Sequence, residues 1–395
     1  MTFPLAIAAR AAVAATGAGI AATRAALHGR RTGLAPAGMP DLRSDIHVGR
    51  VAGLEDAAPP PHLARYDCRN NRLAELALRG DGFEAAVTEA AERHGAHRVA
   101  VVLGTSTAGV AQTEDAYARR DAAGALPADF DFAHTHDLHA LPRYVRARLN
   151  LRGPAIAVST ACTSGARTVI EAGDLIAAGL ADAVVVGGVD TLCRMTLHGF
   201  NALELLSSGP TRPCAADRTG ISIGEAAGLL LLTRPEDAPA GAPLILGAGA
   251  SSDGHHMSSP HPEGLGAITA MRGALDAAGV RVEDVDYVNL HGTGTRANDA
   301  MEDRAVSALF GGTVPVSSTK GWTGHTLGAS GALEAIFATI CLEDDLIPGC
   351  LGVEEADPSF SMQVATANRA APVRRVLSNS FGFGGSNVAL LIGRA

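Results

Sequence analysis

A chain of 395 residues, 47% hydrophobic and 18% charged, can bury a large core, either as two domains or as one large two-part domain. Its net charge of -9 disfavours a nucleic-acid backbone as partner, while leaving room for a local basic patch that meets an acidic protein. No window reaches the roughly 18 apolar residues of a membrane span. Cysteines at 68, 162, 193, 214, 341 and 350 show neither CxxC nor zinc spacing, which reads as reduced thiols in a cytoplasm.

Residues 1–31 have the apolar character of a signal or transit peptide. They lack a basic start, and Arg10 interrupts the run, so they read as a strand followed by a helix. Next, RVAVVLGTST, GPAIAVSTA, ADAVVVGGVD and GLLLLTR read as buried strands, with a helix over ARTVIEAGDLIAAGL between two of them. The stretch 234–243, RPEDAPAGAP, reads as a linker or surface turn. Alternation then resumes: strand LILGAGASSD, helix LGAITAMRGALDAAG, strand VDYVNLHGT, helix DAMEDRAVSALFG, strand VPVSST, helix GASGALEAIFATICLE. The end, RRVLSNSFGFGGSNVALLIG, reads as two strands joined by a glycine turn. Such alternation predicts an α/β architecture in two comparable halves.

Three turns carry chemistry. In AVSTACTSGARTVIEAG, Cys162 precedes a helix, whose free N–H groups should lower the thiol pKa and bind a developing oxyanion. A buried structural thiol is the alternative. In VNLHGTGTRANDAMED, His291 follows a strand and precedes Gly-Thr-Gly-Thr, where backbone can approach a ligand and Thr293 and Thr295 offer hydroxyls. A phosphate loop does not fit, because no lysine follows the glycines. In STKGWTGHTLGASGALEA, His325 lies at a third strand–turn–helix. The same stretch holds Lys320, the one lysine beside 31 arginines, and Trp322, the one tryptophan.

The motifs TACTSG, HGTGT, KGWTGHTLGASGALEA and SFGFGGSN, in this order, resemble the elongating β-ketoacyl-acyl-carrier-protein synthases of the thiolase superfamily. The resemblance covers nearly the whole chain. It implies a thiolase-like five-layered αβαβα fold of two similar halves, 1–240 with the cysteine and 241–395 with the two histidines, working as a dimer. It implies that Cys162 takes the acyl group from an acyl carrier protein and that His291 and His325 bind the malonyl thioester carbonyl. The backbone N–H groups of Cys162 and Phe383 would face the tetrahedral oxyanion, and no metal or organic cofactor is required. Thr293 and Thr295 would hydrogen-bond the phosphopantetheine arm. Gly382 and Phe383 correspond to the gate of the acyl pocket, and Asp299 and Glu302 to supporting acids. Lys320 would pair with Glu334 behind His325 and orient that ring.

Departures from the usual pattern bear on the subtype. Cys214 and Ala215 stand where an aromatic and an acid normally follow Arg-Pro, and GGVDTLC replaces the commoner Gly-Gly-Ala-Glu. These look like the branch found with aryl polyene pigments. Phe200 and Trp322 are candidates for shaping the acyl cavity, with core packing as the alternative. SSDGHHMSSPHPEG resembles a second loop near the pocket, and its Asp253, His255, His256 and His261 have no metal-site spacing. Arg69 and Arg72, on a basic helix-like segment, are candidates for the carrier-protein patch, with Arg119 and Arg120 behind them. Rival readings are an active subunit paired with a chain-length-factor paralogue, a non-catalytic partner, a thiolytic or initiating acyltransferase, and a cysteine acyl hydrolase. The presence of Cys162, His291 and His325 together disfavours the last three.

Overall fold

The computed structural model describes residues 3–394. The N-terminal apolar run forms strand β1 (Leu5–Ala14), followed by helix α1 (Ile20–His28). β1 lies inside a twelve-stranded sheet with Leu5, Ala11, Ala12 and Val13 buried, so its leader-like composition is that of a core strand.

The remaining strands on the main path are β2 (Val99–Gly104), β3 (Ala155–Val158), β4 (Ala183–Asp190), β5 (Ala226–Thr233), β6 (Leu244–Ser252), β7 (Tyr287–Asn289), β8 (Pro315–Ser317), β9 (Gln363–Val364), β10 (Arg375–Gly382) and β11 (Ser386–Gly393). Their order is β9-β8-β7-β10-β11-β6-β1-β5-β4-β2-β3. From β1 outward, the pairings run antiparallel to β5, antiparallel to β4, parallel to β2 and parallel to β3. From β6 outward, the same series is repeated through β11, β10, β7 and β8. The two series meet through a short antiparallel pairing of Leu5 with Ile245 and Ala6 with Leu244.

The helices sort into layers by what they bury. α5 (Ser164–Ala177) and α9 (Ser330–Asp344) lie between the two sheet halves. Val169 and Ile170 of α5, with Leu333 and Ile336 of α9, share a core with Val184 and Leu230 on one side and Val376 and Leu390 on the other. α9 is buried from Ser330 to Leu342, which explains why its sequence shows no polar face. Small residues let these helices touch: a Cβ on Gly331 would meet the Cβ of Ala166 at 2.6 Å. Outside one half pack α2 (Arg69–Arg79), α3 (Phe83–His94) and α4 (Ala140–Arg148), over Val101, Val185 and Leu229, and α6 (Arg194–Ala202) follows β4 in the chain. Outside the other pack α7 (Leu265–Ala278) and α8 (Arg296–Phe310), over Val288, Leu377 and Leu391. The result is helix, sheet, helix, sheet, helix. Parallel strands β3, β7 and β8 end just before Cys162, His291 and Lys320, so the chemically distinctive residues collect at carboxyl ends of strands.

Candidate active site

Cys162 sits on a tight turn between β3 and α5. Ala161 is left-handed, with φ of 53°, a conformation non-glycine residues seldom adopt. The turn is held by the Ser164 hydroxyl, which donates to the Ala161 carbonyl at 2.6 Å and accepts from the Thr160 N–H at 2.9 Å. The backbone N–H groups of Phe383 and of Cys162 itself favour the thiolate. The expected lowering of the thiol pKa is not found. Burial pushes it up to about 12, and the opposing pull of the Lys320 charge does not offset that. Burial thus favours the neutral thiol at rest.

Both histidines reach this sulfur's surroundings. His325 Nε2 lies 3.0 Å from Cys162 Sγ, and its Nδ1 lies 3.0 Å from Ser330 Oγ. A hydroxyl can donate or accept, so Ser330 suits either tautomer of the ring. The His291 ring stands nearly perpendicular to that of His325, with centroids 5.2 Å apart. Burial, followed by the Lys320 charge, holds both imidazoles well below the ordinary histidine pKa. Two neutral rings therefore share the cleft with the thiol. They can donate N–H to an oxygen without a net charge of their own.

Backbone clamps hold the histidine loops. Glu302 accepts the N–H groups of His291 and Gly292, each at 2.8 Å, and the Asn379 amide at 3.1 Å. Its burial raises its pKa to about 7. Asp299 accepts the N–H groups of Gly294 at 3.2 Å and Cys214 at 2.9 Å. Gly294 has φ of 84°, and a Cβ there would come within 2.5 Å of Thr211 Oγ1. The turn thus requires glycine. Lys320 and Glu334 pair as expected, at 2.6 Å and almost fully buried. The second bond of the lysine corrects the expected geometry: Nζ donates to the His291 carbonyl, not toward the His325 ring. Ser330 orients His325 instead.

Two cavities meet at Cys162. A cleft of about 440 Å³ is lined by Cys162, His291, His325, Thr293, Thr295 and Gly382. A more apolar cavity of about 310 Å³ is lined by Cys162, Ser106, Thr107, Thr196, Leu203 and Leu327. Phe200 and Phe383 line both, with ring centroids 5.7 Å apart. Phe200 therefore lies beside both cavities. Trp322 does not: it is fully buried, donates Nε1–H to the Ala26 carbonyl at 3.0 Å, and packs in the inner core.

Three of the four carrier-patch candidates are paired with acids. Arg69 donates to buried Glu225 at 2.6 Å and to Glu55 at 3.0 Å, so its charge is spent inside the fold. Arg72 pairs with Asp67 at 2.6 Å, Arg119 pairs with Asp129, and Arg120 lies over the Tyr117 ring. For Arg69 the acids arrive from elsewhere in the chain, which a helix sequence cannot reveal, whereas Asp67 stands in the same short segment as Arg72. In the second loop, Asp253 accepts from Asn387 at 2.8 Å and from the His261 N–H at 3.0 Å, which fastens that loop to the glycine turn.

Two contributors were missed. Ser330 stood in a quoted motif, five residues after His325. Asp190 ends an apolar strand, which is itself a signal. It accepts from the Thr105 hydroxyl, the Ser106 N–H and both the N–H and hydroxyl of Thr107, and from the Gly328 N–H at 2.6 Å. It thereby ties the wall of the second cavity to the segment after His325.

Comparison with known proteins agrees with this geometry. Residues 72–238 match the N-terminal domain of β-ketoacyl synthase, and 243–354 match its C-terminal domain. The chain is 41% identical over 268 residues to "3-oxoacyl-[acyl-carrier-protein] synthase 2" of Rhizobium meliloti, a match covering 63% of each. It is 34% identical to "Nodulation protein E" of a Rhizobium species, over 89% of this chain and 90% of that one. The solved ketosynthase ApeO, in complex with its chain length factor ApeC from Xenorhabdus doucetiae, superposes with a TM-score of 0.89 at 37% identity, covering 99% of this chain and 98% of that one. With both domain models matched in order and the five-layered thiolase-like fold in place, the chain belongs to the β-ketoacyl synthase family.

Proposed function

We propose that this chain is an acyltransferase of the 3-oxoacyl-acyl-carrier-protein synthase type, extending an acyl chain by two carbons. The observation that carries the reading is the convergence of Cys162, His291 and His325 on one cleft, with His325 Nε2 at 3.0 Å from the sulfur.

Cys162 attacks the acyl thioester of a carrier protein while His325 Nε2 takes its proton. The C–S bond to the carrier arm breaks, and that thiol leaves protonated. The oxyanion of this step lies at the N–H groups of Cys162 and Phe383. A malonyl thioester then enters along Thr293 and Thr295. Its carboxylate leaves as carbon dioxide, and the electron pair moves onto the thioester oxygen as an enolate held by N–H of His291 and His325. The enolate carbon attacks the acyl-Cys162 carbonyl, and the released thiolate recovers a proton. Removing a donor of this kind costs about 10²–10³ in rate.

The second cavity would hold the growing acyl chain, gated by Gly382 and Phe383. We assign the two halves as 1–240 and 241–395, the compartment as cytoplasm, and the branch, from Cys214, Ala215 and the GGVDTLC turn, as that of aryl polyene pigments. The similarity to a ketosynthase solved with its chain length factor supports a second reading, an active subunit of such a heterodimer rather than a homodimer.

The test is incubation with acyl- and malonyl-carrier proteins, followed by mass measurement of enzyme and products. An acyl mass on Cys162 and a product longer by two carbons are expected. An acyl-enzyme without extension for any primer would remove elongation, and extension by Cys162→Ala would remove the nucleophile. Purification with and without a cysteine-less paralogue separates the two assemblies.

A further inference from the structure

Two arginines line the cleft that leads to Cys162. Arg218 is committed: its side chain is 5% exposed, donates to Asp357 at 2.6 Å, lies 3.5 Å from Asp299 and stacks over Phe360. Arg296 is exposed and, among the described residues, has neither an ion pair nor a hydrogen-bond acceptor. Most arginines of this chain are matched with acids, so a free guanidinium on the wall of a substrate cleft stands apart.

Its place along the cleft suggests what it meets. His291 and Thr293 are buried, Thr295 is half-buried, and Arg296 is exposed, so one short segment runs from the reacting end to the mouth. Thr295 caps α8 through the Asn298 N–H, which fixes where Arg296 leaves the wall. A carrier-protein arm that enters thioester-first presents amides at mid-depth and its phosphodiester near the surface. A guanidinium there matches phosphate oxygens with paired N–H donors. The chain is acidic overall, and Glu204 also lines this cleft, so an incoming phosphate needs a local cation.

The geometry points to Arg296 as the residue that binds the phosphate of the carrier arm, a specificity contact at the mouth. This rests on the reading that Thr293 and Thr295 receive that arm. Contact so far from the reacting carbonyl contributes equally to ground and transition states, so it acts on KM and not on kcat.

The probes are phosphopantetheine and pantetheine, titrated by calorimetry into the wild-type protein, Arg296→Ala and Arg296→Lys. Wild type should prefer the phosphorylated form by about threefold to fivefold, the upper end for an ion pair at an exposed site. That ratio should fall to about one in Arg296→Ala and persist partly in Arg296→Lys. With malonyl-carrier protein, Arg296→Ala should raise KM and leave kcat unchanged. An unchanged ratio in Arg296→Ala, or no preference in wild type, overturns the assignment. So does weaker carrier-protein binding with the ratio intact, which would mark a contact to the protein's own carboxylates. A phosphate preference that depends on Arg296 in an enzyme that never condenses would instead count against the proposed reaction and leave this subsite standing.

Discussion

Lys320 shows how much one side chain can hold. Its ammonium bridges Glu334 and the His291 carbonyl in a space that is 1% exposed. Arginine brings the same charge in a wider, planar group that this space does not fit. Lys320→Arg should fold and still form acyl-Cys162, but condense about 10–100-fold more slowly. Single-turnover product yield, with intact-protein mass for the acyl step, checks this; full condensation would show that the bridge does not position His291. The histidines also set a pH dependence. Their folded pKa values lie below the unfolded value of about 6.5, so an unfolded chain takes up protons that the folded site refuses as pH drops through that value. Stability from this source is lost as pH falls and is constant above neutrality. The rings stay neutral throughout, so the acid limb of kcat/KM should lie below about pH 6.5. A limb above it would mean that a charged imidazole forms in the free enzyme.

At the next scale, Trp322 couples two elements that the sequence keeps far apart. It packs in the inner core and bonds the last turn of α1 through the Ala26 carbonyl. Trp322→Ala should cost about 3–5 kcal/mol in denaturant unfolding. Product chain length should be unchanged, because the indole lines neither cavity. A changed product profile would return it to the acyl pocket. Asp190 has the opposite character: a small carboxylate at the end of β4 that gathers five donors from two other segments. Asp190→Asn replaces one acceptor oxygen by a donor. Facing the Gly328 N–H, it should loosen the segment after His325, and faster amide exchange at residues 326–329 would report this.

For the whole molecule, the sheet ends on one side in β3, whose Ala155, Ile156 and Ala157 are only half-buried. An apolar edge strand is a ready pairing surface. Ile156→Asp should turn a dimer into a monomer by light scattering, whether the partner is a second copy or a paralogue; an unaffected assembly would place the interface elsewhere.

The sequence by itself determined the alternation of strands and helices, because buried strands and helices write continuous or periodic apolar runs. It also singled out Cys162, His291 and His325 as candidates, each in a short stretch of small residues after a strand, and the structure brings the three to one cleft. Only the tertiary structure decided what these groups experience. The thiol pKa rose because burial outweighed the Lys320 charge, and burial depends on layers that close from both halves of the chain. Lys320 was legible as a brace, but its grip on His291 rather than His325 depended on where two loops meet. Arg69 looked free in the sequence because Glu55 and Glu225 come from other segments, as the donors to Asp190 do, whereas Asp67 stood only five residues from Arg72. Local runs specify elements; the charges and hydrogen bonds that tune a site are settled by residues far apart in sequence.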